Sequence, residues 1–305
     1  MLIGTWLALI ALSGARVARA DRAVPQSRIE SARGMALGTG VRAAGASTQA
    51  QADNPANLVL GGLYHIESFV GYDPTFKRTA WGAAIADSIT SRLAAGASAR
   101  ILFGDNDAGE NKGWEAKLGL GFPIIDILSV GISGRYSNIR IADPRAYPDR
   151  PPPMEVNAQP DQEFRLKHFT LDAAATLRPI PGLAIAALGY NLIDTKSKLA
   201  PMTVGGGLAY TYGTLTIGGD VLVDLNKHDM FPGTRLTAGG GVEYLAGNIL
   251  PLRIGYAYDQ GRKQSYVTGG TGYVDPRFAI QISIRQSVSQ GSETSLFFSA
   301  SVFVQ

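Results

Sequence analysis

The stretch Phe278-Ala279-Ile280-Gln281-Ile282-Ser283-Ile284-Arg285-Gln286 decides how the rest of the chain is read. Phe278, Ile280, Ile282 and Ile284 recur at every second position, with Gln281, Ser283 and Arg285 between them. Successive side chains of a β-strand point to opposite faces, so this is a strand with one apolar and one polar face. Residues 252–259 repeat the pattern, with Leu252, Ile254, Tyr256 and Tyr258 against Arg253, Gly255, Ala257 and Asp259. Residues 215–225 carry Thr216, Asp220 and Asp224 on their polar face. In 114–122, Trp114, Ala116, Leu118, Leu120 and Phe122 oppose Glu115 and Lys117.

A single alternating strand fits a soluble sandwich as well as a membrane barrel; the aromatic residues separate the two. Tyr64, Tyr72, Trp81, Trp114, Tyr136, Tyr210, Tyr244 and Tyr258 fall on apolar faces near strand ends, where interfacial girdles sit. Extending the pattern gives strands at 60–72, 77–87, 91–104, 113–122, 125–140, 163–178, 183–193, 200–211, 214–225, 234–245, 250–260, 265–274, 277–287 and 293–305. The number is even, as a bacterial barrel with both termini in the periplasm requires, and parity is the reason for retaining the weak segment 265–274. The connections alternate in length. Tight turns are expected at 88–90, 123–124, 179–182, 212–213, 246–248 and 275–276, with longer loops at 105–112, 142–162, 194–199 and 226–233. Longer loops face outward in such barrels, and 73–76 and 261–264 are then tight outer turns. The expected fold is all-β: a transmembrane antiparallel barrel of about 14 strands over residues 60–305.

Two segments precede it. Residues 1–20 are expected to be a cleaved signal peptide, because Leu2 to Leu12 is too short to span a bilayer and Ala18-Arg19-Ala20 has the small-x-small cleavage form. Removing Arg16 and Arg19 with it leaves 26 basic residues against 25 acidic ones, a balance that argues against nucleic-acid binding. There is no cysteine, which excludes disulfides, thiolate metal sites and cysteine nucleophiles. Residues 21–59 do not alternate and are rich in Ala, Gly, Arg and Ser. A barrel of this width is not filled by its own side chains, so this segment is expected to plug the lumen. The glycine triplets 205–207 and 239–241 would let its backbone approach the wall closely.

Within that segment, Arg33-Gly34-Met35-Ala36-Leu37-Gly38-Thr39-Gly40 and then Ala52-Asp53-Asn54-Pro55-Ala56-Asn57-Leu58 resemble the N-terminal hatch of the FadL-type outer-membrane transporters and their PorV-like relatives. The resemblance implies fourteen strands and assigns Arg33, Gly34, Gly38, Asn54, Pro55 and Ala56 to the plug motif. The chain departs from it in being short for a fatty-acid transporter and in ending Val304-Gln305 instead of on an aromatic residue.

No enzyme chemistry is legible. His65, His168 and His228 lack metal-ligand spacing, no motif marks a nucleophile, and Gly38-Thr39-Gly40 has no preceding strand to make a dinucleotide loop, so neither metal nor cofactor is expected. The lumen candidates are His65, Glu67, Arg100, Arg135, Asp172, Asp220, Arg253 and Arg285. Glu115, Lys117, Asp224, Arg235, Glu243 and Asp259 join them on polar faces. Mixed signs fit a hydrated, mutually paired lumen that holds a plug, or a path for an amphipathic solute. By resemblance, the function is passive uptake of a hydrophobic or amphipathic, long-chain fatty-acid-like molecule by a monomer. Its partners would be outer-membrane lipid and, during biogenesis, the barrel-assembly machinery. The alternatives are a PorV-like partner of a secretion or surface-protein complex, or a purely structural barrel.

Overall fold

A computed structural model describes residues 31–75, 77–106, 109–141, 164–195, 200–225, 235–261, 263–289 and 293–304. The expectations for residues 1–30, for the proline-rich loop 142–162, for 196–199 of the loop 194–199 and for the loop 226–233, with His228, lie outside the described residues.

Fourteen antiparallel strands pair in chain order and close into a barrel. They are β1 Tyr64–Asp73, β2 Arg78–Asp87, β3 Ala94–Asn106, β4 Gly109–Ile125, β5 Leu128–Ile141, β6 Phe164–Leu177 and β7 Leu183–Tyr190. Then follow β8 Thr203–Tyr212, β9 Leu215–Asp224, β10 Arg235–Ala246, β11 Leu250–Asp259, β12 Gln264–Val274, β13 Phe278–Ser287 and β14 Thr294–Val304. Closure is direct, with Tyr64 opposite Val304 and Tyr72 opposite Leu296. No sheet edge remains, so every strand can lie in lipid with its backbone satisfied.

The alternation holds around the wall. Phe278, Ile280, Ile282 and Ile284 face out and are half exposed, as are Trp81, Trp114, Tyr136, Tyr210, Tyr244 and Tyr258. Glu115, Lys117, Asp172, Asp220 and Arg253 face in and are buried. This inversion of a soluble protein, with apolar outside and charged inside, is the signature of a wall against lipid. Among the described residues no helix is long and apolar enough to cross a membrane; the crossing elements are strands.

Several boundaries differ from expectation: β1, β3 and β8 begin three or four residues late, at Tyr64, Ala94 and Thr203, and three further differences have local causes. The tight turn at 123–124 lies inside β4: Pro123 pairs with Ser129, the register shifts before Ile125, and the chain reverses at Asp126–Ile127. Such a bulge tolerates a proline that has no N–H to give the ladder. The loop expected at 105–112 is mostly strand, because β3 and β4 remain paired as far as Asn106 and Gly109. Strand β7 stops at Tyr190, three residues early. Asn191 takes a positive φ of 55°, and its N–H donates to the Asp172 Oδ1 at 3.0 Å instead of to a neighbouring strand.

Residues 31–60 lie inside the barrel. They form helix α1 (Ala32–Ala36), a 3-10 turn (Arg42–Ala44), helix α2 (Ser47–Asp53) and a second 3-10 turn (Pro55–Leu60). Ser31 caps α1, its Oγ accepting the Gly34 N–H at 2.9 Å. Helices of one or two turns have little stability of their own, so the surrounding wall holds them. The wall makes room with glycine. A Cβ on Gly131 would sit 2.2 Å from the Pro55 carbonyl carbon, and one on Gly255 would sit 2.6 Å from the Gly38 nitrogen.

Candidate functional site

The lumen charges are not scattered. On β3 to β6, Arg100 and Arg135 approach the Glu115 carboxylate at 3.4 and 4.0 Å, and the Ser137 hydroxyl donates to it at 2.9 Å. Lys117 bridges Asp172 at 2.9 Å and also donates to the Ala52 carbonyl of the inner segment at 2.9 Å. Across the barrel, Arg235 lies between Asp259 and Asp224. Arg253 reaches Glu243 at 2.5 Å and Gln281 at 2.7 Å. Each such pair offsets the cost of removing two charges from water only because a partner is at hydrogen-bond distance.

The inner segment joins this network through two arginines. Arg33 donates to Glu243 at 2.9 Å and to the Gln49 Oε1 at 2.9 Å, tying α1, α2 and β10 together. Arg42 pairs with Asp220 at 3.1 Å, and its backbone N–H donates to the same carboxylate. Asn54 is fully buried. Its Nδ2 donates to the Arg42 carbonyl and the Thr176 hydroxyl, while its Oδ1 accepts the Ala56 N–H two residues on. Pro55 rests on Gly131, Gly34 sits under the Ser31 cap, and Gly38 adopts a φ of 78° against the Tyr256 carbonyl.

The remaining lumen candidates stand apart. His65 Nδ1 is 3.3 Å from the Thr48 hydroxyl, and the ring packs edge-on to Phe303. Glu67 hydrogen-bonds the same threonine and has no cationic partner among the described residues. Arg285 lies over the Tyr266 ring at 5.6 Å. His168 pairs opposite Ser137 beside the Glu115 cluster. Among the described residues no group of three or more His, Asp or Glu could hold a metal ion.

Above the inner segment, at the barrel end opposite the termini, an open vestibule of about 250 Å³ remains. Met35, Gly38, Thr39 and Arg42 form its floor. Phe69, Leu102, Leu296 and Phe297 give it one apolar side, and Asp224, Arg235, Asp259 and Tyr266 face them. Phe69 and Phe297 stack at 5.5 Å with their planes 20° apart, and Met35 and Ala32 of α1 pack on them.

The fold has known counterparts. The toluene transporter TbuX of Ralstonia pickettii superposes with a TM-score of 0.60 at 13% identity, over 91% of this chain and 99% of its own. The toluene transporter TodX of Pseudomonas putida gives 0.58 at 13%, over 90% and 98%. A FadL homologue of Pseudomonas aeruginosa gives 0.55 at 12%, over 90% and 98%. The fold is that of the FadL-type barrels. No protein-family model and no curated protein matches the chain in sequence. At such identities the likeness is one of architecture, and fourteen strands that almost span the counterparts' full lengths account for it.

Several residues of the site escaped the sequence reading. Arg42, Gln49, Gln51 and Asn57 sit in a segment with no periodicity to rank them. Phe69 and Phe297 were legible in principle: each lies in phase with a polar face, Phe69 with His65 and Glu67, Phe297 with Ser295 and Ser299. A large aromatic ring on a lumen phase has no lipid to meet and must pack against something inside.

Proposed function

We propose that the chain is a passive outer-membrane channel, taking compact hydrophobic or amphipathic molecules into the vestibule and releasing them past a plug formed by residues 31–60. The observation that carries this reading is the vestibule itself: an open space with an apolar aromatic side above a floor formed by residues of the inner segment. Three of the five arginines that line it are engaged with wall carboxylates, Arg42 with Asp220, Arg235 with Asp259 and Arg100 with Glu115. A ligand carboxylate would have to compete with those partners, whereas an uncharged ring would not. At about 250 Å³ the space is smaller than the roughly 300–1,000 Å³ usual for drug-sized ligands, which favours a compact solute over an extended acyl chain. The likeness to toluene transporters supports the same class. Export by removal of residues 1–20, the loop-bearing end outward and action as a monomer belong to this proposal.

Uptake in cells producing or lacking the barrel tests it, with labelled toluene and a labelled long-chain fatty acid as probes. Barrel-dependent entry of toluene, exceeding that of the fatty acid, is the expected result. Entry of neither probe would overturn the transport reading and leave a partner-docking barrel, which would use the loop 142–162.

A further inference from the structure

The outside of the barrel is not uniform at its loop-bearing end. Strands β3 to β6 are the longest of the wall, at 13, 17, 14 and 14 residues. Near the outer ends of β4, β5 and β6 the ladder stacks three rungs. One sets Arg140 between Lys112 and Arg165; the next in runs Trp114, Asn138, Lys167; the third runs Ala116, Tyr136, Phe169. Lys112, Arg140 and Lys167 are exposed, as are Trp114, Tyr136 and Phe169. The Trp114 and Tyr136 rings lie 5.2 Å apart, and the Phe169 ring lies over Gly134 of β5. Cations thus stand directly above an aromatic ledge on three adjacent strands. On the described strands every other Lys and Arg faces the lumen.

Like charges directly opposite each other destabilise a strand pair, and here three basic residues occupy one rung. No acid stands opposite them: Lys112 has Phe103 on its other side, and Lys167 has Asn138. The acids nearest in register, Asp105 and Glu110, pair with each other further out on β3 and β4, and Asp194 lies past the end of β7. An anion held between the strands would relieve the repulsion. The array spans two strand spacings, roughly 10 Å, which suits a ligand with more than one phosphate group. The ledge selects the source of that anion. Aromatic girdles mark the membrane boundary, so these cations lie at headgroup height, where a charge on the outer wall costs little. We infer that Lys112, Arg140, Arg165 and Lys167 bind the phosphorylated headgroup of a glycolipid in the outer leaflet, whose acyl chains descend over Trp114, Tyr136 and Phe169. This rests on the outward orientation of the loop-bearing end given above, and it is independent of transport.

Binding of labelled, bisphosphorylated lipid A to the intact barrel in a neutral detergent tests the site. The triple change Lys112→Gln, Arg140→Gln, Lys167→Gln should weaken binding about a hundredfold, and Lys167→Gln alone about fivefold. Lys77→Gln and Lys263→Gln, in exposed turns at the same end, should bind as the parent does. Equal binding by the parent and the triple variant overturns the site, as does equal binding of the same lipid stripped of its phosphates. Displacement of the lipid by inorganic phosphate alone would make this a free-anion site and overturn the lipid. Tighter binding of phosphatidylglycerol than of lipid A would place this end at the inner leaflet. That result overturns both the ligand and the outward orientation, while toluene uptake still decides the channel reading. If the triple variant fails to assemble, judged by heat-modifiable gel mobility, the single changes Arg140→Gln and Lys167→Gln decide.

Discussion

Arg42 and Asp220, 178 residues apart, meet at 3.1 Å inside the barrel with side-chain exposures of 4% and 0%. One belongs to the inner segment, residues 31–60, and the other to β9. Breaking a buried pair by removing one partner costs about 3–5 kcal/mol, because the remaining charge is stranded. Asp220→Ala should therefore loosen the hatch and open a fluctuating ion leak in planar bilayers, with the barrel still assembled. Arg42→Met combined with Asp220→Leu removes both charges and should leak less than either single change. A sealed Asp220→Ala barrel would show that the pair does not hold the hatch.

The glycine seat gives a second prediction, with its own control. A methyl group at Gly131 or Gly255 would overlap hatch backbone at 2.2 or 2.6 Å, and neither the backbone of the hatch nor that of the wall can give way cheaply. Gly131→Ala and Gly255→Ala should each displace the hatch and increase protease cleavage within residues 31–60 of the assembled barrel. At Gly269 the nearest atom is 3.6 Å away, so Gly269→Ala should behave as the parent does.

The lipid face is tested by Ile282, which points outward at mid-strand and is 52% exposed. An arginine there should cost about 2–4 kcal/mol or block assembly, as measured by unfolding in urea and by gel mobility. Thr237→Arg, whose side chain enters the vestibule beside Asp259, should assemble normally. Equal damage from both would mean that the outer face meets protein and not lipid.

The wall was legible because its physics is local. Two-residue alternation is visible inside any ten-residue window, and the row Phe278, Ile280, Ile282, Ile284 needs no partner to be read. Parity then retained β12, a glycine-rich strand that propensity alone would have dropped. Ends were less legible: Pro123 looked like a turn because its tolerance depends on a bulge that only the β5 register reveals. The inner segment was least legible. Its helices are five and seven residues long, too short to show an amphipathic period, and their faces are set by a wall surrounding them on all sides. The arginines gave no sign of their partners, since Arg33 and Glu243 are 210 residues apart and meet only once the barrel has closed.

Asn54 carries the last prediction. Its amide donates to the Arg42 carbonyl at 3.1 Å and to Thr176 at 3.0 Å, while its oxygen accepts the Ala56 N–H at 3.2 Å. One side chain thus joins the first 3-10 turn, the wall at β6 and the turn that leads into β1. Pro55 fixes φ at the next residue, so the chain leaves this junction at a set angle. Asn54→Ala loses the donors and the acceptor together, and Asn57 still donates to the Arg42 carbonyl at 3.1 Å, so the loss is partly covered. Asn54→Asp is worse, because an ionised carboxylate can only accept and would face the Arg42 carbonyl from a fully buried position. The expected order of leak in planar bilayers is parent, Asn54→Ala, Asn54→Asp, and then a chain lacking residues 31–52, which should conduct as an open pore. A deleted chain that assembles and remains sealed would remove the plug from the mechanism. An aspartate variant as tight as the parent would show that the junction is held by packing on Gly131 and not by this amide.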